Sequence, residues 1–129
     1  MGACYSVNVK VNLIDEIGAI NALNKHIKKD KGVNYSLDRY AEIGATTDTF
    51  DGLMKILLAE VQSKVSIVKK RKYAYYDNCF CASYGWEYIM IDWFKVIAPY
   101  LADGSQMLIY PDEDYDKLVI KNGKCVQIH

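Results

Sequence analysis

Residues 79–112 constrain the fold of this chain more than any other stretch. Their pattern predicts a short strand, a turn at Gly85, a long apolar helix, a stop at Asp103-Gly104 and then a second strand. Both tryptophans, Trp86 and Trp93, fall in the helix. Because large aromatic side chains dominate core energetics, we expect this unit to form the centre of the core.

Hydrophobic periodicity before this unit predicts one strand and several helices. Apolar residues alternate with polar ones over residues 5–13, as in a half-buried strand. Helices are predicted from about Asp15, over the short segment 37–42, and from Thr46 or Thr47 onward. The first helix is expected to bury one apolar stripe, formed by Ile17, Ile20, Leu23 and Ile27.

The remaining segments predict strands joined by tight turns. Residues 65–76 read as a hairpin across the basic bend KKRK, followed by a turn at Asp77-Asn78. Strands are also predicted at 106–110, 117–121 and 124–128, the last two joined by the hairpin signal Asn122-Gly123. The fold class is therefore α+β. We expect one globular domain, residues 1–129, with a single-layer, mostly antiparallel sheet packed by two or three helices.

Charge and hydropathy narrow the classes of partner. Sixteen basic and sixteen acidic residues give a formal net charge of zero, which disfavours tight duplex binding by phosphate neutralisation. The N-terminus lacks the apolar region of a signal peptide. Asp92 and Lys95 interrupt the longest apolar run, which is short of the ~20 residues of a membrane span. We therefore expect a soluble intracellular protein with no membrane partner.

Four cysteines are expected mainly to be packed thiols, with a structural metal site as the alternative. Cys79 and Cys81 are two residues apart, so on a strand both sulfurs project from one face. Zinc would need two more ligands from Cys4, Cys125, His26 or His129. If the first and last strands of the sheet were neighbours, these residues could converge. The absence of a secretory signal favours thiols or ligands over disulfides, and buried cysteines also serve as small hydrophobes.

A basic and tyrosine-rich patch follows the predicted hairpin bend. Lys70 and Arg71 precede Tyr73, Tyr75 and Tyr76, and cations beside aromatic rings are the elements of single-strand nucleic-acid binding. The charges at one bend fall short of a continuous stripe. A solvated bend, a protein contact and a nucleic-acid contact therefore all stay open.

Tyrosine is the compositional outlier, with eleven residues among 129. Tyrosine offers large amphipathic contact area at low entropic cost, so it is common at interfaces. We expect Tyr5, Tyr88 and Tyr100 in the core, and the tyrosines near charged turns on a binding surface.

An acidic loop follows the strand at 106–110. Asp112, Glu113 and Asp114 fail the EF-hand pattern, because the glycine and glutamate that a calcium loop needs are not at the required positions. The loop is either a solvated turn or a contact for a basic partner surface. No nucleophile, acid–base pair or other catalytic motif is recognisable, so we do not expect an enzyme.

The C-terminal half resembles a group of mobile-element proteins. The segments ASYGWE and PYLADGSQMLIYPDED and the final strand pair around NGK are similar to small phage- and mobile-element-encoded proteins of Firmicutes, some of which are anti-CRISPR proteins that bind and block Cas9. The resemblance covers about residues 79–124 and transfers no functional residue. It implies a non-enzymatic inhibitor in the host bacterial cytosol, with no required cofactor.

Two functional hypotheses follow. The first is an inhibitor that binds a host protein or a CRISPR effector complex through its tyrosine-rich, charged-loop surface. The second is a metal-stapled module for single-stranded nucleic acid. Nucleic acid by itself is the less expected partner, because the net charge is zero.

Overall fold

A computed structural model describes residues 2–110 and 116–128 as a six-stranded antiparallel sheet with helices on one face. The predicted α+β class is confirmed, with four helices instead of two or three. No helix in these two ranges is long and apolar enough to cross a membrane. The elements are β1 (Gly2–Val11), α1 (Glu16–Lys29), α2 (Leu37–Glu42), α3 (Phe50–Leu57), β2 (Ser66–Lys69), β3 (Ala74–Ser83), α4 (Trp86–Ile97), β4 (Gln106–Tyr110), β5 (Asp116–Lys121) and β6 (Lys124–Ile128).

Strand β1 is the centre of the sheet, whose order is β2-β3-β1-β4-β5-β6. It pairs along its whole length with β3 and over residues 6–10 with β4. The predicted alternation of apolar and polar residues along β1 is confirmed, because the apolar residues of one face are buried under the helices: Tyr5, Val7, Val9 and Val11. The polar residues between them lie on the opposite face.

Helix α4 supplies the centre of the core, as its composition predicts. Trp93 is fully buried, and its ring centroid lies 5.7 Å from that of Tyr35. The half-buried Trp86 donates its indole N–H to the carbonyl oxygen of Leu57 at 2.9 Å. The helix ends at Ile97, where Pro99 forces a 3₁₀ turn, as expected for a proline that removes a backbone donor.

Three predictions of local structure are wrong. Asp77-Asn78 is not a turn but lies within β3, because the Asn78 side-chain amide donates to two loop carbonyl oxygens and stays satisfied there. Ile17 is 73% exposed, since the face of α1 that packs inward carries Ala19 and Leu23 instead. Tyr88 is 66% exposed, because α4 buries the side that holds Trp93.

Side chains, not a strand, cover part of the β3 edge. Strand β2 pairs only with residues 74–77 of β3. Beyond it, the Gln62 side chain accepts from the Cys81 N–H at 2.9 Å and donates to the Cys81 carbonyl oxygen. The Ser63 hydroxyl donates to the Cys79 carbonyl oxygen at 3.0 Å. These bonds satisfy backbone groups that would otherwise lie unpaired at the sheet edge.

A hydrogen-bonded trio ties β2 and β3 to helix α3. Tyr76 donates to Asp51 at 2.6 Å, and Lys69 pairs with the same carboxylate at 2.7 Å. Burial alone would raise the pKa of the Asp51 carboxyl, but the bonds from Lys69 and Tyr76 outweigh burial and hold it below its usual range. Burial and the neighbouring carboxylate raise the pKa of the Tyr76 phenol.

Candidate functional site

The face of the sheet opposite the helices, here called the open face, has no covering layer among the described residues. One-sided antiparallel sheets commonly leave such a face to solvent. The strand register places its side chains in rows across the strands. One row runs Val68, Tyr75, Lys10, Gln106, Val119 and Val126, and the next runs Ser66, Asp77, Asn8, Leu108, Lys117 and Ile128.

The open face is basic although the whole chain is neutral. Strand alternation places four lysines on it: Lys10, Lys117, Lys121 and Lys124. Among the described strand residues of this face the acidic one is Asp77, and its carboxylate accepts a hydrogen bond from the Asn8 amide at 2.7 Å. Among the described strand residues, the open face therefore carries more basic than acidic side chains.

Two tyrosine rings at the β3 end of the open face lie among lysine side chains. The Lys10 ammonium is 4.3 Å from the centroid of the Tyr73 ring, and the Lys72 ammonium is 5.5 Å from it. The Lys70 ammonium lies 5.9 Å from the centroid of Tyr75. Both rings are half-buried, so part of each stays accessible. These distances fit cation–π contacts, which hold the rings and the cations at one location.

Apolar side chains separate the lysines at the other end of the open face. Val126 and Ile128 of β6 are exposed, and Leu108 and Val119 are half-buried. A surface that mixes rings, methyl groups and ammonium groups can contact planar bases and phosphates together.

The predicted partner-binding residues divide into three groups. Lys70 and Arg71 are exposed at the bend, and Tyr73 and Tyr75 border or lie on the open face, so the structure brings these four together. The prediction for Tyr76 is wrong: it is 1% exposed, because it points to the helices and bonds to Asp51. The acidic residues Asp112, Glu113 and Asp114 lie outside the described residues.

Sequence reasoning missed the lysines of the open face. Lys117, Lys121 and Lys124 lie close together in the sequence, but Lys10 is far from them, and the four form no motif. A signal was present, because each occupies the polar phase of an alternating strand. That signal becomes a surface only when the strand order is known, since β4 must lie between β1 and β5.

The cysteines do not form the expected four-ligand group. Cys4 and Cys81 face each other on β1 and β3 and form a disulfide, which corrects the expectation of free thiols. Cys79 is exposed two residues from Cys81. Cys125 pairs with Ile120 on the helix-facing side of β6. Two strands separate β6 from β1, so the first and last strands are not neighbours and Cys125 does not join the other cysteines.

The environment of Cys125 is that of a packed thiol. Burial raises the pKa of this thiol, and the nearby Lys95 only partly offsets the effect. In the disulfide-bonded form, no cluster of three or more His, Cys, Asp or Glu side chains within residues 2–110 and 116–128 is arranged to hold a metal ion. Binding of zinc therefore stays a prediction.

A second surface feature lies at the start of α4. Tyr84 and Tyr88 are 72% and 66% exposed and flank the Gly85 turn, which adopts a positive φ of 93°. Glycine adopts this conformation without steric cost, so the turn can present both rings on the surface. Exposed tyrosines are a common component of protein–protein contacts.

Comparison with protein-family models, with curated proteins and with solved structures finds no match to this chain.

Proposed function

We propose that this protein is a non-enzymatic module that binds single-stranded nucleic acid on the open face of its sheet. The observation that carries the proposal is the concentration of four lysines and the Tyr75 ring on one face, left uncovered by the described residues, of a protein whose net charge is zero. Aromatic rings on an open antiparallel sheet form a recognised platform for unpaired bases.

The dimensions of the open face fit a single-stranded nucleic acid a few nucleotides long. Neighbouring β-strands lie about 4.8 Å apart, so the face spans roughly 19 Å from β3 to β6. Bases would stack at the Tyr75 end, and the backbone would run towards the lysines of β5 and β6. This arrangement favours a single strand over a duplex, because stacking on a ring needs an unpaired base.

The salt dependence of binding tests this proposal. If each of the four lysines neutralises one phosphate, the plot of log K against log salt should have a slope of about −2.8. A fourfold rise in salt would then weaken affinity about 50-fold. Fluorescence anisotropy with a labelled single-stranded DNA and its RNA counterpart, each of about ten nucleotides, measures the slope.

Two double variants test which lysines contact the phosphates. The double variant Lys117→Gln/Lys121→Gln should reduce the slope to about −1.4, because two phosphate contacts are lost. The matched control, Lys25→Gln/Lys28→Gln, removes two exposed lysines from helix α1 and should leave the slope unchanged. A flat salt dependence in the parent protein, or equal slopes in both double variants, would reject the open face as the site.

A second candidate function is inhibition of a CRISPR effector complex by protein contact. The exposed pair Tyr84 and Tyr88 favours it, because this aromatic surface is separate from the open face and has the chemistry of an interface anchor. The loose resemblance to anti-CRISPR proteins agrees with this candidate. A partner of this kind would bind at the start of α4.

A cleavage assay separates the two candidates. The protein should co-purify with a Cas9–guide complex and lower its DNA cleavage, and Tyr84→Ala/Tyr88→Ala should abolish both effects. The variant Lys117→Gln/Lys121→Gln should still inhibit, since it leaves the start of α4 unchanged. No binding and no inhibition across several Cas9 effectors would reject this second candidate function.

A further inference from the structure

Three cysteine side chains lie together at one end of the open face. Cys4 and Cys81 form a directly opposed cross-strand pair with their Cα atoms 3.9 Å apart. Cys79 is on the same face of β3, and its thiol donates to the Ser6 hydroxyl at 3.4 Å. All three cysteines are exposed, and they line one shallow groove whose rim includes Gln62 and Ser63.

We propose that, once the disulfide is reduced, Cys4, Cys79 and Cys81 bind one thiophilic divalent ion such as Zn²⁺. A dithiol, which becomes a disulfide, or a phosphine, which reacts with water to become a phosphine oxide, supplies two electrons and two protons to the Cys4–Cys81 bond and so yields two thiols. The incoming ion then displaces the three thiol protons to solvent, so three thiolates become its ligands. A two-electron oxidant such as a peroxide accepts two electrons from the Cys4 and Cys81 thiolates, which re-forms the disulfide, removes two of the ligands and releases the ion.

The distance between Cys79 and Cys81 along β3 favours a shared ion over a disulfide between these two residues. The Cα atoms of residues two apart on a strand are about 6.7 Å apart, which is near the limit of about 7 Å that a disulfide can bridge. Two sulfurs on one zinc ion need only lie about 4 Å apart, since each Zn–S bond is about 2.3 Å. Cys79 can therefore reach an ion placed above the Cys4–Cys81 pair.

Because the groove is exposed, solvent can reach the fourth coordination position of the ion. Zinc sites with three protein ligands complete their coordination with water or another solvent-derived ligand. The Ser6 hydroxyl next to Cys79 is placed to hydrogen-bond such a ligand. Cys125 is excluded, because it lies on the other side of the sheet and two strands separate β6 from β1. This inference does not rest on the proposed nucleic-acid binding.

Titration with cadmium, a spectroscopic substitute for zinc, tests the site. The protein is reduced with a phosphine, which competes weakly for the ion, and Cd²⁺ is added while thiolate-to-metal charge-transfer absorption is recorded. The reduced protein and the control Cys125→Ser should each take up about one equivalent. Cys79→Ser, which keeps the Cys4–Cys81 pair, should bind at least about tenfold more weakly, since even an outer-shell partner contributes about that factor.

Zinc competition with a chromophoric chelator and the metal-dependent rise in Tm provide two further readouts, because an ion that binds only the folded state raises its stability. Protein oxidised to the disulfide should show neither charge transfer nor a rise in Tm. The proposal is overturned if reduced protein shows no charge transfer, if Cys79→Ser binds as tightly as the parent, or if Cys125→Ser loses the ion.

Discussion

Replacing Trp93 with alanine is expected to lower the free energy of unfolding by about 3–5 kcal/mol. Trp93 is fully buried on α4, packs against the Tyr35 ring and directs its indole N–H to the Tyr35 hydroxyl at 3.4 Å. Truncation removes the largest fully buried side chain and leaves a cavity under the sheet. Urea unfolding followed by circular dichroism measures the change.

The control for this experiment lies on the same helix. Tyr88→Ala removes an exposed ring and should change stability by no more than about 0.5 kcal/mol. If Trp93→Ala is too unstable to measure, Trp93→Phe fills part of the cavity and should fall between the two. Equal losses for Trp93→Ala and Tyr88→Ala would contradict the burial pattern of α4.

Replacing Tyr75 with alanine should weaken single-strand binding about 5- to 150-fold, since one stacked base is worth about 1–3 kcal/mol. Tyr75 lies on the open face beside Lys10, and the Lys70 ammonium is 5.9 Å from its ring centroid. The substitution removes the ring, which is both the proposed stacking surface and the cation–π partner of Lys70. Anisotropy titrations at low salt, where phosphate contacts are strongest, measure the loss.

Phenylalanine at the same position separates stacking from hydrogen bonding. Tyr75→Phe keeps the ring and should retain nearly the parent affinity, because stacking uses the face of the ring and not its hydroxyl. Tyr88→Ala, on the helical layer, should also bind normally. If Tyr75→Phe binds as weakly as Tyr75→Ala, or if Tyr75→Ala binds normally, base stacking at this position is rejected.

Local patterns predicted the elements of this fold well. The alternation over residues 5–13 gave β1, the LDRYAE segment gave α2 with its observed bounds, and Asn122-Gly123 gave the β5–β6 hairpin. Each of these signals acts within a few residues, where steric preference and side-chain phase decide the outcome.

Long-range arrangement was not predictable in the same way. Nothing in the sequence specifies that β1 lies between β3 and β4, and this order separates Cys125 from the other cysteines and gathers the lysines of the open face. Asp77 and Asn78 read as a turn because their side chains usually compete with strand hydrogen bonds. Here Asn8 and the loop before β2 satisfy them across the sheet.

The Gln62 and Ser63 side chains that bond to β3 also limit how this protein can associate. A bare sheet edge is a template on which another chain can add a strand. Because Gln62 already engages the Cys81 N–H and carbonyl oxygen, a foreign strand would have to displace a side chain before it could pair there. Intermolecular β-pairing, and the aggregation that can follow it, would therefore be expected to start at the outer strands β2 and β6 and not along this part of β3.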